Sequence, residues 1–289
     1  MSNTLDRRRH PVRSDLAARA YEGRVDAERF VVGEKLRVKA DKIAIRPEPR
    51  SDRSIDTEAL YGEPLTVYEQ TLEGWAWGQL ETDGYVGWFS SADIGPVTSP
   101  TYRIRALRTF RYPGPDLKFP PLGLLSIGSL VTAKGESETR GLKYTSLEDG
   151  SFIVAKHLVP IEHQERDWVS VAEEFLGTPY LWGGRSSLGI DCSALVQLAA
   201  QTAGIDLLRD SDMQEAEAGT EIPFDDLTAL QRGDLLFWKG HVGIIAGPNK
   251  LLHANGHTMT VAYEALDTAV ERIAATEWGA ITKARRLTA

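Results

Sequence analysis

Hydrophobic and polar positions change texture twice along the chain. Residues 1–30 are polar and Arg-rich, with a stretch around Ser14 to Tyr21 compatible with a helix, and read as a partly helical arm lying against the later domains. From Glu34 to about Pro160 the apolar residues come in short strand-like runs, Leu36 to Ile45, Pro64 to Tyr68, Trp75 to Leu80 and Tyr85 to Phe89, cut by Gly, Pro and Asp. The pattern occurs twice: Gly62 and Asp83-Gly84 are answered by Gly128 and Asp149-Gly150 at a constant offset of 66 residues, and Leu65 to Val67 by Val131 to Ala133. Two copies are too few to stack as a solenoid, so the repeat predicts two tandem all-β barrels, over residues 31–97 and 98–161.

Beyond Pro160 the spacing becomes helical. Asp167 is placed to cap a helix carrying Trp168, Val171, Ala172 and Phe175, ended by Gly177 and Pro179. A second helix is expected from about Asp191 to Ala203, with Leu195, Leu198, Ala199 and Thr202 inward and Gly204 as its left-handed cap. Short apolar runs come next at Asp234 to Trp238, His241 to Ala246, Lys250 to Ala254 and Thr258 to Tyr263, separated by turn signals. Helices followed by an antiparallel sheet make residues 162–289 an α+β domain.

Composition narrows the function. A formal charge of −8 argues against a phosphate backbone as partner, because such binding needs a clustered basic surface. No run approaches the roughly 20 apolar residues of a membrane helix, and Arg7 to Arg9 are not followed by the apolar core of a secretory signal. With a single cysteine no internal disulfide can form. The expectation is a soluble cytoplasmic protein without nucleic-acid or membrane partners; oligomeric state is not legible.

That one cysteine, Cys192, falls at the predicted start of the second helix. Buried lone cysteines are commonly small apolar fillers, but a helix N-terminus favours a thiolate and is expected to lower the thiol pKa. A thiolate nucleophile needs a histidine to take and return its proton. His10 lies in the arm and His157 and His163 flank the domain junction, whereas His241 and His253 fall on neighbouring predicted strands. If Ala246 faces Lys250 across the Gly247-Pro248-Asn249 turn, Ile245 faces Leu251, Gly243 faces His253, and His241 is a diagonal neighbour of His253 on the same face. His241 then reads as base and His253 as its orienter. A zinc reading of His253 and His257 is weak, since the segment reads as a strand and then a turn, so four-residue spacing does not put the rings on one face, and no second cysteine exists. No metal or cofactor is expected.

The stretches Tyr180-Leu181-Trp182-Gly183-Gly184, Gly189-Ile190-Asp191-Cys192-Ser193, Gly240-His241-Val242-Gly243-Ile244 and His253-Ala254 resemble the NlpC/P60 family, from roughly Glu165 to Ala289. The β region resembles tandem bacterial SH3 domains. The resemblance implies a papain-like fold with nucleophile Cys192, base His241 and third polar residue His253. Arg209-Asp210-Ser211 with Gln214, behind SH3-like modules, is similar to the YkfC-type γ-D-glutamyl-L-diamino-acid endopeptidases. That narrower likeness implies a murein stem peptide as substrate, such as L-Ala-γ-D-Glu-diaminopimelate, its bond to the diamino acid cleaved during wall-peptide recycling. It also implies that Glu63, Tyr85, Asp191, Ser193, Asp210 and Ser211 hold the free amino group of the N-terminal L-Ala, with Tyr180 contributing to the site. At the 66-residue offset Glu63 becomes Ser129 and Tyr85 becomes Ser151, so only the first module keeps the polar set. An amidase or acyltransferase on the same scaffold, or an inactive wall-peptide-binding protein, are the alternatives.

Overall fold

A computed structural model describes residues 5–287 of the chain. The first four residues of the expected arm and the last two of the C-terminal domain lie outside the described residues. The chain divides into two compact units, Met1–Ile161 and Glu162–Ala289.

In the first unit a five-stranded antiparallel sheet runs in the order Val86–Ser90, Trp75–Leu80, Pro64–Gln70, Glu34–Val38, Ile94–Pro96, with a hairpin of Lys42–Ile45 and Thr57–Leu60 beside it. The expected single run Leu36 to Ile45 is thus two strands, broken where Lys39 and Ala40 turn their N–H groups to the Asp93 carbonyl. The later half holds three smaller sheets, including the meander Ala133–Thr139, Leu142–Leu147, Phe152–Val154. Turn chemistry recurs between the halves. Gly62 and Gly128 have φ of 82° and 89°, and Gly84 and Gly150 of 76° and 81°, which accounts for their recurrence in the sequence.

The helix expected near Ser14 to Tyr21 does not form. Ala17–Ala18 pair in parallel with Phe30–Val31, and only Arg19–Tyr21 make a 3-10 turn. Pairing satisfies the backbone where so short a helix would carry its full nucleation cost. Leu16 packs beside Trp77, Val86 and Trp88, and the Arg13 guanidinium lies 4.4 Å and 4.8 Å from the two tryptophan ring centres.

The second unit sets helices against a six-stranded antiparallel sheet ordered Thr220–Glu221, Lys283–Arg286, Asp234–Trp238, His241–Gly247, Lys250–Asn255, Thr260–Ala265. The helix Cys192–Thr202 packs on the His241 and Lys250 strands and against the helix Trp168–Glu173. Every residue from Cys192 to Ala200 is buried, so this helix is wrapped rather than amphipathic, and its position is fixed from all sides. Truncating Leu195 or Leu198 to Ala would cost about 2–5 kcal/mol. The opposite face of the sheet is closed by Leu266–Ala274, whose Leu266, Ala269 and Ile273 meet Leu236, Trp238, Ile245 and Leu251.

Candidate active site

The helix begins at Cys192 because Asp191 caps it: Asp191 Oδ1 accepts the Ala194 N–H at 2.8 Å. Ahead of it Gly183, at φ +72°, donates its N–H to Asp191 Oδ2 at 3.0 Å. A Cβ on Gly184 would stand 2.6 Å from the Gly189 carbonyl oxygen, so the Gly-Gly pair is a steric requirement of this corner. Arg209, 1% exposed, forks onto Asp191 at 2.9 and 2.6 Å and donates to Ser193 Oγ at 2.9 Å. Gln214 completes the frame by donating to the Ser193 carbonyl at 3.0 Å.

On the facing sheet the register of the histidine strands is set by a bulge. Ile245 opposes Leu251 as expected, but Gly247, not Ala246, opposes Lys250, with Ala246 the extra residue. The turn is therefore the two residues Pro248-Asn249, Asn249 in the left-handed region at φ 47°, and the bulge restores the pairing that brings the imidazoles together. His241 Nε2 lies 3.0 Å from His253 Nδ1. His253 Nε2 lies 3.2 Å from Glu264 Oε2, off the line of an aligned hydrogen bond. Glu264 is gripped by Arg272 through Nε at 2.8 Å and Nη2 at 2.7 Å.

This arrangement dictates the tautomers. Arg272 holds the Glu264 carboxyl below its ordinary pKa, so it stays an anion that only accepts. His253 must then present Nε2–H to it and keep Nδ1 as an acceptor. His241 must donate Nε2–H to that nitrogen, which leaves its Nδ1 lone pair for a thiol proton. The thiol is close by: the N–H groups of Val242 and Ser193 both donate toward the Cys192 sulfur, and Val242 comes directly after His241 in the chain.

The lowered thiol pKa expected at the helix start is overridden. Burial pushes Cys192 up to about 12, and the Asp191 carboxylate acts the same way, outweighing the Val242 and Ser193 N–H groups and the Arg209 guanidinium. Burial takes His241 down to about 3, helped by the charges of His253 and Arg272, and His253 down to about 4 against the pull of Glu264. Each group by itself is neutral at pH 7. A thiolate and an imidazolium can form here only together, each compensating the other's desolvation.

Tyr180 is half-buried, and its phenol is raised by burial and by the Cys192 and Asp191 charges, so it belongs to the same corner. Asp210 and Ser211 begin the short helix Ser211–Glu217 directly after Arg209. Glu63 and Tyr85 are buried residues of the other unit; Glu63 Oε2 accepts the Leu60 N–H at 2.6 Å. Among the described residues no group of three or more His, Cys, Asp or Glu side chains is arranged to hold a metal ion.

Known proteins share these segments. Residues 177–276 match the NlpC/P60 family, and residues 45–94 match the bacterial dipeptidyl-peptidase SH3 domain. The chain is 30% identical over 228 residues to a gamma-D-glutamyl-L-lysine dipeptidyl-peptidase of Bacillus subtilis (strain 168), spanning 71% of this chain and 73% of that one. It is 36% identical to dipeptidyl-peptidase 6 of Lysinibacillus sphaericus, over 72% of this chain and 83% of that one. The chain belongs to the NlpC/P60 family of cysteine peptidases. A crystal structure of an NlpC/P60 family protein from Bacillus cereus ATCC 10987 shares the fold, with a TM-score of 0.71 over 88% of this chain and 99% of that one at 20% identity.

Within this NlpC/P60 domain the structure brings together Cys192, His241, His253, Tyr180, Asp191 and Ser193, and adds three residues to which the sequence alone assigns no site role: Arg209, Glu264 and Arg272. Arg209 lies in the Arg209-Asp210-Ser211 motif, so its signal is present. Glu264 has none, because its approach to His253 depends on pairing between the Lys250 and Thr260 strands, where His253 faces Ala262, two residues from Glu264. Its contact with His253 is thus diagonal across the sheet.

Proposed function

We propose that this peptidase cleaves the bond between γ-D-glutamate and a diamino acid in murein stem peptides that begin with a free L-Ala, releasing L-Ala-D-Glu, in the cytoplasm during wall-peptide recycling. The observation that carries the reading is the line from the thiol at the Asp191-capped helix start through His241 and His253 to Glu264, at 3.0 and 3.2 Å. The relatives named as gamma-D-glutamyl-L-lysine dipeptidyl-peptidase and dipeptidyl-peptidase 6 support the choice of bond.

In this mechanism His241 Nδ1 takes the Cys192 proton as sulfur attacks the γ-glutamyl carbonyl carbon, giving a tetrahedral oxyanion. The Cys192 N–H, outside the helix's own ladder, is the natural donor to that oxygen. The C–N bond then breaks as the imidazolium returns its proton to the leaving amine, and a thioester remains. Water, deprotonated by the same imidazole, adds to the thioester carbonyl; the C–S bond breaks and the thiol is regenerated. His253 and Glu264 hold His241 in the required tautomer throughout.

Recognition of the substrate's ammonium is assigned to Glu63 and Tyr85 with Ser193, Asp210, Ser211 and Asp191. The Asp191 share is reduced in this reading, since both its oxygens accept from Arg209. The test is mass-spectrometric product analysis of L-Ala-γ-D-Glu-diaminopimelate with wild type and Cys192→Ala. L-Ala-D-Glu released by wild type alone supports the reading; no cleavage by either sinks it. Unchanged turnover after acetylation of the substrate alanine would sink the ammonium assignment alone.

A further inference from the structure

Cleavage leaves two halves of the substrate, and the leaving half needs a place of its own. His241 returns its proton to the leaving amine, so that amine must stand beside the imidazole. A cleft of about 460 Å³ opens there, lined by His241, Tyr180 and Trp182, by Gly256 and His257 from the turn after the His253 strand, and by the C-terminal end of the helix Leu266–Ala274 and the segment after it, Arg272, Glu277 and Trp278 among them. All of these belong to the peptidase unit, and the volume is ample for an amino-acid-sized group.

Its chemistry is that of a two-ended ligand. Arg272 uses Nε and Nη2 to hold Glu264, and its Nη1 has no hydrogen-bond partner among the described residues. The exposed Glu277 carboxylate likewise has no ion-pair or hydrogen-bond partner among them. Trp182, 63% exposed, and Trp278, 37% exposed, give the cleft apolar faces. One cation donor, one anion and two indoles match a methylene chain carrying a carboxylate and an ammonium.

We propose that this cleft is the leaving-group subsite and that it selects a diamino acid, with Glu277 on an ammonium, Arg272 Nη1 on a carboxylate, and the carbon chain along Trp182 and Trp278. The assignment rests on the proposed cleavage. It favours a side chain ending in both charges, as in diaminopimelate, over one ending in an ammonium alone, as in lysine.

The experiment compares kcat/KM for L-Ala-γ-D-Glu-X with X as diaminopimelate, lysine and norleucine. Wild type is expected to prefer lysine over norleucine by about fivefold, the value of one exposed charge-assisted contact, and diaminopimelate over lysine by a similar factor. Glu277→Gln should bring the lysine to norleucine ratio to about one, and Glu277→Lys should prefer 2-aminoadipate, added to the series as X, over lysine. Equal ratios in wild type, or ratios untouched by these exposed substitutions, overturn the subsite. A second readout is free of turnover: titration with diaminopimelate should shift the Trp182 and Trp278 indole N–H resonances, at lower concentration than norleucine does. Loss of cleavage with that shift retained counts against the proposed reaction alone; no shift counts against the subsite whatever the turnover.

Discussion

In the barrel unit the buried Glu63 carboxylate accepts the N–H of Leu60 three residues away, and the longer chain, Asp41 to Arg111 to Asp149 and on to Tyr61, holds neither imidazole nor thiol. In the peptidase unit the side-chain chains across distant segments run through imidazoles and beside the thiol. Arg209 joins Asp191 over 18 residues, and His241, His253, Glu264 and Arg272 come from two strand pairings and a helix. Bonds of the first kind fix turns and join strands. Chains of the second kind set protonation states, so that changing one member alters the others. Substitutions in the two units should therefore differ in kind as well as size.

The largest effect is expected at the thiol. Cys192→Ala should lower kcat/KM at least about 10³-fold while leaving the circular-dichroism spectrum intact. His241→Ala should be as damaging and should also show why: alkylation of Cys192 by iodoacetamide, expected near neutrality in wild type, should shift toward the about 12 to which burial raises the thiol. An unchanged alkylation profile would mean that His241 is not the proton acceptor.

Next comes the carboxylate that sets the tautomers. Glu264→Gln keeps the shape and removes the charge, and should lower kcat about 10- to 100-fold. The imidazolium form loses a stabilising anion, so the acid limb of the kcat/KM profile should move to lower pH; a purely structural role would lower activity without moving the limb. The charged and titratable groups facing His253 are Glu264, Arg272, His257 and His241, and only Glu264 favours its protonation. Both imidazoles sit below their ordinary value, so between about pH 6.5 and the values of about 4 and 3 the unfolded chain binds more protons than the folded one. Stability present above that interval should be lost as pH falls through it. Melting temperature against pH should show the loss, and His253→Asn should flatten the curve.

How much of this is legible in the sequence depends on how far apart the interacting residues lie. Local signals, such as the Asp191 cap, the stop at Gly204, the strand runs and the repeated turn glycines at Gly62, Gly84, Gly128 and Gly150, are written in adjacent residues and can be read directly. The helix expected near Ser14 to Tyr21 fails because its alternative, pairing with Phe30–Val31, lies outside the window in which periodicity is judged. The thiol pKa goes the other way from expectation because a helix N-terminus is visible in sequence whereas the burial opposing it is not. Glu264 stays hidden because a diagonal contact requires the register between the Lys250 and Thr260 strands first.

The smallest effects should separate the two barrels from each other. Glu63→Gln retains an oxygen for the Leu60 N–H while removing the charge, and Tyr85→Phe removes one hydroxyl, so neither should unfold the module. If these groups recognise the free amino terminus, each should raise KM about tenfold, the value of a charge-assisted contact, for L-Ala-γ-D-Glu-diaminopimelate. Neither should matter for the N-acetylated peptide. At the repeated positions Ser129→Ala and Ser151→Ala should leave both constants unchanged. Ser151→Ala should cost about 1 kcal/mol of stability through the lost bond to Asp149, whereas Ser129→Ala should cost less, its buried hydroxyl having no partner among the described residues. Equal KM effects at the two offsets would place substrate recognition in both barrels, and no effect at Glu63 or Tyr85 would confine it to the peptidase unit, leaving the repeat a duplication of structure without a division of function.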